Sequence, residues 1–573
     1  ARGEEIPCFA LTAPEAGSDA AAIPDTGVVC RGEWQGEEVL GIRLNWEKRY
    51  ITLGPVATLL GLAFKLYDPD HLLGEQEELG ITLALIPTDL PGIDIGNRHW
   101  PLDIPFQNGP NRGKDVFIPL DQLIGGPEQA GHGWRMLMEC LSEGRGISLP
   151  ALSTSAAKVT SRYTGAYARI RRQFGLPIGR FEGIEEPLAR IGGNAWLMDA
   201  ARRLTATALD QGERPSVVSA ILKQQLTERM RIIVNDAMDI HGGSGICMGP
   251  HNYLARTYQA IPISITVEGA NILTRSLIIF GQGAIRCHPW LLREIRAAQN
   301  PDPALGLLEF DEAFWKHLGH VLSNLSRAFW LGLTNGHLAR VPGDRHSRPY
   351  FRRLERLSAG FALLADAAML TLGGSLKRRE RISGRFADVL SNLYLCSAAL
   401  KQYHDQNAPE EALPLVHWAC QATIHRAQQS MLAVLWNLPV RPMAWLLRFI
   451  VFPWGKVYAP PGDRVIHQAA DFLLHQSAAR DRLTTGIFIT DDPDDRTGRI
   501  EHAFRLVLRD EDLERRLHEA RRKQGFRPHW DEDEIEAACT AGLLDADEAA
   551  RLRESRAAVR GAIMVDAFKP EDL

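Results

Sequence analysis

Glu268 stands between an apolar run, Ile261 to Val267, and the residues Gly269, Ala270 and Asn271. Taken alone, an acid at that point reads as the start of a helix, where the dipole favours negative charge. Its neighbours Ile265 and Val267 are also what raises a carboxylate pKa toward the working pH and makes it a base. Three further segments combine glycine with groups able to do chemistry. They are Phe9 to Asp19 (FALTAPEAGSD), Arg171 to Gly175 (RRQFG) and Asp239 to Gly245 (DIHGGSG). Glycine allows a backbone to approach a ligand closely, and free N–H groups can then bind it. Without further context the first reads as a Gly/Pro turn between strands, and His241 in the third as a turn histidine.

Other chemistries are excluded. Gly243-Ser244-Gly245 and Gly281-Gln282-Gly283 are followed three residues later by Met248 and Arg286, so neither completes the dinucleotide fingerprint. No phosphate-binding G-x-x-x-x-G-K-[ST] occurs, and Gly242 to Gly245 is not a hydrolase elbow. His317 and His320 lie one helical turn apart without a Glu or Cys set close in sequence, so no metal is expected. The eight cysteines are scattered with no C-x-x-C pair, the usage of a reducing compartment rather than of a disulfide scaffold.

Three regions must position these groups. Residues 1–126 are rich in Gly and Pro and carry short β-prone runs at Ile51 to Leu53, Ile81 to Ile86 and Val116 to Ile118, which predicts a β-domain. Residues 127–288 turn helical, with Trp134, Leu137, Met138 and Leu141 at helical spacing and a long unbroken stretch from Val217 to Ile240. Residues 289–573 remain helical and end in a charge-dense stretch. The fold class expected is α+β, mostly α. Length alone, 573 residues, argues for several domains. With 45% hydrophobic residues and 65 basic against 70 acidic, the net charge is −5, which excludes a nucleic-acid coat. No run reaches the ~18 apolar residues of a membrane span. The segment Met443 to Trp454, flanked by Arg441 and Lys456, reads either as an interfacial helix or as a buried one.

Taken together and in order, these segments resemble the acyl-CoA dehydrogenase flavoproteins. Phe9 to Asp19 is similar to that family's V/L-T-x-P-x-A-G-S-D loop. Lys48-Arg49-Tyr50-Ile51-Thr52 is similar to its K-x-W-I-T strand, with Tyr50 in place of Trp. Asp115 to Gly125 resembles the strand leaving its β-domain. Arg171 to Gly175 resembles E-R-x-x-F-G, with Ile170 where the family has Glu, and Asp239 to Gly245 resembles Q-x-x-G-G-x-G, with Asp239 for Gln. Val267 to Asn271 followed by Arg275 resembles Y-E-G-T-x…R.

The resemblance implies a middle β-domain, a four-helix-bundle domain and an additional helical C-terminal domain of the long bacterial FadE type. It implies FAD, bound by Phe9, Leu11, Thr12, Tyr50, Thr52, Arg171, Phe174, Asp239, Gly242, Gly243, Ala270 and Asn271. Arg171 suits the diphosphate because a guanidinium makes paired, charge-assisted bonds. Ser18, Arg145 and Gly269 are implied to touch acyl-CoA, and Glu268 to be the catalytic base that takes the α-proton. No side chain accepts hydride, so the flavin must. The activity implied is α,β-dehydrogenation of medium- or long-chain acyl-CoA to trans-2-enoyl-CoA, opening fatty acid β-oxidation, with electron-transfer flavoprotein as acceptor. A cytoplasmic homo-oligomer is expected, with peripheral contact at the inner face of the cell membrane. The chain begins at the middle-domain signature, so an absent N-terminal helical domain and weak activity are further expectations. The competing readings are an acyl-CoA oxidase and a non-catalytic, membrane-associated helical scaffold.

Overall fold

The computed structural model describes residues 2–529 and 532–572. Contacts divide the chain into two compact units, residues 1–144 with 262–270, and residues 145–261 with 271–573.

The first unit is built on seven strands: β1 (Pro7–Ala10), β2 (Thr26–Trp34), β3 (Glu37–Thr52), β4 (Leu59–Tyr67), β5 (Glu78–Pro87), β6 (Ile93–Asp94) and β7 (Asn108–Pro119). The path runs β1-β4-β2-β3-β7-β6, and β5 lies along the remaining edge of β4. One edge of β4 is shared between β1 and β2, both parallel to it, while β5 is antiparallel.

Strand β3 shows how sequence sets the core. Ile42, Leu44, Trp46 and Lys48 alternate inward, while Arg43, Asn45 and Glu47 face out, the period-2 signature of a half-buried strand. Trp46 packs over Gly113 of β7, where an added Cβ would lie 2.1 Å from the indole, and its Nε1 donates to Asn111 Oδ1 at 2.9 Å. The β3–β7 register shifts between Leu44 and Trp46 and again between Lys48 and Ile51. Such bulges bend a strand and re-aim its side chains. The second bulge contains Tyr50, at φ 62°.

The second unit is helical. Helix α1 (Gly133–Ile170) begins in the first unit and continues into it, followed by the hairpin of β8 (Arg172–Gln173) and β9 (Leu176–Pro177). Then come α2 (Glu182–Asp210), α3 (Ser216–His241), α4 (Gly243–Ile246), α5 (Ala255–Thr266), α6 (Asn271–Leu273), a π-helical stretch at Thr274–Gln282, and α7 (Gly283–Cys287). Beyond them lie α8 (Leu291–Ala298), α9 (Pro303–Leu333), α10 (Arg348–Leu372), α11 (Glu380–Asp405), α12 (Leu413–Asn437), α13 (Arg441–Val451), α14 (Asp463–Leu474), α15 (Ala478–Leu483), α16 (Gly498–Arg509), α17 (Glu511–Lys523), α18 (Glu534–Thr540) and α19 (Ala546–Ile563).

The helices after Pro289 do not form a separate body. Helix α2 packs on α3 and also against α11, α12 and α14. At the α2–α12 crossing a Cβ on Gly193 would lie 1.9 Å from the Trp418 ring, so glycine is what lets the two axes approach. Helix α1 carries three cations that reach into the chain's last hundred residues, although Lys158 also pairs with Asp199 of α2 at 3.0 Å. Arg162 meets Asp481 at 2.9 Å and Glu501 at 2.5 Å, Arg169 meets Glu511 at 2.6 Å, and Lys158 donates to the Thr485 carbonyl at 2.8 Å. The α+β, mostly α class expected from the sequence is the one found, with the predicted β runs at Ile81 to Ile86 and Val116 to Ile118 inside β5 and β7 and Val217 to Ile240 inside α3, while of Ile51 to Leu53 only the first two residues lie in β3 and Leu53 turns left-handed beyond it.

Candidate active site

In the first unit, Phe9 lies on β1 opposite Gly61 of β4, and its ring is 40% exposed. Strand β1 runs into the Leu11–Ser18 loop, which is fixed from below. Lys48 Nζ donates to the Leu11 carbonyl at 2.9 Å, the Arg49 N–H donates to the Thr12 carbonyl at 3.0 Å, and the Arg49 guanidinium donates to the Pro14 carbonyl at 2.8 Å. Ala13 and Ala16 bond reciprocally across the turn. Lys48 itself is buried against Asp25. Burial draws its ammonium pKa below the usual range, and Asp25 opposes that shift.

Several side chains around this support are open to solvent. Tyr50 is 58% exposed, with Arg49 over its ring at 4.9 Å. Thr52 and Ser18 are exposed and Leu11 and Thr12 half-buried, and no hydrogen bond among the described residues occupies the Thr12 or Thr52 hydroxyl. Aromatic faces beside open hydroxyls and a rigid backbone loop suit a planar, polar-edged heterocycle. The donor set therefore fits an isoalloxazine.

Glu268 belongs to the same unit, through the segment 262–270. The last helical bond of α5 runs from the Val267 N–H to the Ile263 carbonyl at 3.0 Å. Glu268 and Gly269 then both take left-handed conformations, φ 55° and 88°. For glycine that costs little, whereas a non-glycine residue held there stores about 1–3 kcal/mol of strain, a feature concentrated at functional sites. Glu268, Gly269 and Ala270 are all half-buried.

In the second unit Arg171 closes α1, and Phe174, at the tip of the β8–β9 hairpin, is 95% exposed with φ 51°. Asp239 is exposed on the last turn of α3. Gly242 follows at φ 58°, ψ −129°, a conformation only glycine accepts readily, with open space where the Cβ of Gly242 or Gly243 would stand. His241 is a structural histidine, as its turn position implies. It stacks on Tyr167 at 3.9 Å, and its Nε2 meets the Tyr253 hydroxyl at 2.9 Å. Burial pushes its pKa down to about 3, so it is neutral. Asn252 ties the turn, its amide donating to the Gly245 and Cys247 carbonyls at 2.8 Å each.

Asn271 turns inward. Its Oδ1 accepts from the fully buried Lys223 at 2.8 Å, and its Nδ2 donates to Thr227 at 2.9 Å and Glu228 at 3.0 Å. Arg275 makes a two-pronged pair with Asp388 of α11, at 2.7 and 2.5 Å. Arg145 is half-buried on α1, and the side chains of Ser142 and Glu143 beside it lie outside the described residues. An apolar cavity of about 350 Å³ opens among α1, α3 and α5, lined by Leu152, Val159, Met230, Leu254, Ala260 and Ile261.

Sequence reasoning missed one cluster. His288, His317 and Asp366 converge, with ligand atoms within 4.8 Å of one another. His288 Nδ1 accepts the N–H groups of Trp290 at 3.3 Å and Leu291 at 3.0 Å, so its proton sits on Nε2 and is donated to Asp366 at 3.0 Å. A metal on Nε2 would require an imidazolate, so this arrangement is a hydrogen-bonded staple of α8 to α10. His317 joins it through Glu294 at 2.8 Å.

Two family models match. One, described as acyl-CoA dehydrogenase, C-terminal domain, covers residues 131–280, and the other, acyl-CoA dehydrogenase, C-terminal, bacterial type, covers 285–568. The probable acyl-CoA dehydrogenase FadE10 of Mycobacterium tuberculosis is 26% identical over 449 residues, 75% of this chain and 65% of that protein. Protein HemX of Proteus mirabilis is 64% identical over 104 residues, 18% of this chain and 61% of that protein. This chain thus spans less than two thirds of either relative. The crystal structure of a Bacillus anthracis acyl-CoA dehydrogenase complexed with FAD superposes with TM-score 0.63 at 19% identity, covering 81% of this chain and 74% of that one. Fold and site define a flavoprotein-like α+β architecture with a β-platform and a helical bundle. The chain belongs to the acyl-CoA dehydrogenase family.

Proposed function

We propose that this chain carries the catalytic part of an FAD-dependent enzyme that removes hydrogen from Cα and Cβ of a medium- or long-chain acyl-CoA to give the trans-2-enoyl-CoA, the opening reaction of fatty acid β-oxidation. The observation that carries the reading is Glu268, held in a left-handed conformation beside Gly269 on the unit that also bears Phe9, Thr12, Tyr50 and Thr52.

Phe9, Leu11, Thr12, Tyr50 and Thr52 hold the flavin ring. Arg171 and Phe174 serve the diphosphate and adenine side of a flavin held by a neighbouring subunit, Asp239, Gly242 and Gly243 serve the ADP part of the cofactor, and Ala270 and Asn271 complete the set. When bound, FAD supplies the acceptor for the hydride leaving Cβ. Glu268 takes the α-proton onto a carboxylate oxygen, and its backbone N–H stabilises the charge growing on the thioester oxygen. Gly269 leaves room for the thioester, while Ser18 and Arg145 meet the CoA part.

Phe174, almost wholly exposed on its hairpin, supports a homo-oligomer in which it is covered. The eight unpaired thiols support a cytoplasmic location. Electron-transfer flavoprotein is the acceptor this reading implies. The test is anaerobic addition of octanoyl-CoA or palmitoyl-CoA to the flavin-loaded full-length protein. Flavin bleaching with formation of the enoyl product is expected, and an unchanged flavin spectrum with every acyl-CoA would refute it. Peroxide yield in air, with and without an added electron acceptor, separates dehydrogenase from oxidase.

A further inference from the structure

Helix α13 is apolar on both sides. Ala444, Leu447, Ile450 and Val451 are buried against the bundle, while Trp445, Leu446 and Phe449 point outward, 64%, 59% and 62% exposed. Trp436, at the end of α12, and Trp454 extend the outward face, as do Trp330 and Leu333 at the end of α9. Exposed large apolar residues gathered in this way mark an interaction surface.

The face is rigidly built. Trp454 Nε1 donates to the Leu333 carbonyl at 2.8 Å, and Arg441 caps α12 by donating to the Trp436 carbonyl at 2.8 Å. The Arg448 guanidinium lies 5.7 Å from the Trp436 ring centre. Gly332 lets α9 approach so closely that a Cβ there would fall 2.5 Å from the Ile450 carbonyl.

Charge selects the occupant. Between Glu411 and Asp463 the sequence contains no Asp or Glu, yet it contains Arg426, Arg441, Arg448 and Lys456, in a chain where acids outnumber bases. Arg448 and Lys456 are exposed beside the aromatic residues. A second copy docking about a two-fold axis would bring this acid-free segment against itself, cation facing cation. Anionic lipid headgroups match both features, because Trp favours the membrane–water boundary and Arg and Lys pair with phosphate. At eleven residues α13 is ~16 Å long, far short of the ~30 Å hydrocarbon core, so it lies along the surface. The helix that length and composition would allow to span, within Arg348–Arg378, has half of its most apolar window buried in the bundle.

We propose that the face formed by α13, Trp436, Trp454 and the end of α9 docks on the surface of an anionic phospholipid bilayer. The assignment is independent of the enzymatic reading. The test is flotation of the full-length protein with vesicles of phosphatidylcholine alone or mixed with phosphatidylglycerol. Recovery with the mixed vesicles is expected, weakening as salt is raised. The exposed double variants Trp445→Ser/Phe449→Ser and Arg448→Glu/Lys456→Glu should each reduce vesicle partition by more than about tenfold. Circular dichroism and melting should remain as in the parent. Equal recovery of parent and variants, or no recovery of the parent, overturns the proposal. So does a fall in sedimenting mass caused by the variants without any vesicle binding, which would make the face a contact between copies.

Discussion

Lys48 and Asp25 form an ion pair from which water is excluded, with side chains 0% and 1% exposed. The pair does more than fill the sheet interior. The ammonium also holds the Leu11 carbonyl, and Asp25 also accepts the Glu47 N–H at 2.9 Å. Removing one partner leaves a buried charge uncompensated, which costs about 3–5 kcal/mol, more than the pair itself contributes. Lys48→Met should therefore destabilise the protein by that amount in urea unfolding, whereas Lys48→Met with Asp25→Leu should recover part of the loss. A double variant no better than the single one would refute this account.

Acid should weaken the α3 turn through His241. Its folded pKa, about 3, lies below its ordinary 6.5, so the unfolded chain binds the extra proton in that interval. The stability His241 contributes is present above about pH 6.5 and is lost as pH falls toward 3, by up to ~1.4 kcal/mol per unit. Unfolding free energies at pH 7 and pH 5 should fall by about 2 kcal/mol more in the parent than in His241→Gln. Parallel losses would show that the ring is not buried neutral.

Gly193→Ala should cost about 1–3 kcal/mol, because its methyl group would overlap the Trp418 ring. Combining it with Trp418→Leu should cost less than the sum of the two changes, as contacting residues do. Additive costs would mean that the helices part instead.

Glu268→Gln should keep flavin bound and slow flavin reduction by acyl-CoA by about 10²–10⁴-fold, the range ascribed to a positioned base. Rapid-mixing absorbance reads both quantities. Unaltered bleaching would assign the proton to another group.

What the sequence revealed and what it concealed follow one division. Local signals were legible: the FALTAPEAGSD loop, the strand ending at Thr52, the unbroken α3 and the Glu-Gly step at Glu268 were each read from neighbours within a few residues. Partners far apart in the chain were not. Lys48 falls in phase with Ile42, Leu44 and Trp46, which marks it as inward, but Asp25 on another segment cannot be matched to it by spacing. The inward turn of Asn271 depends on Lys223, 48 positions earlier, and the His288–Asp366 bond spans 78. Met443 to Trp454 was open between interfacial and buried because both faces of α13 are apolar, and only the packing of Leu447 and Ile450 identifies the outward one.

Arg162 gives the order of synthesis a physical meaning. Its side chain is 4% exposed, and its acidic partners Asp481 and Glu501 follow 319 and 339 residues later. At roughly 5–20 residues per second a ribosome delivers them tens of seconds after α1 has emerged. Until then this cation has no counter-charge to enter the interior with, so the first helix of the bundle waits for nearly the last ones. A protein shortened before residue 501 would strand a charge at its centre rather than lose an appendage.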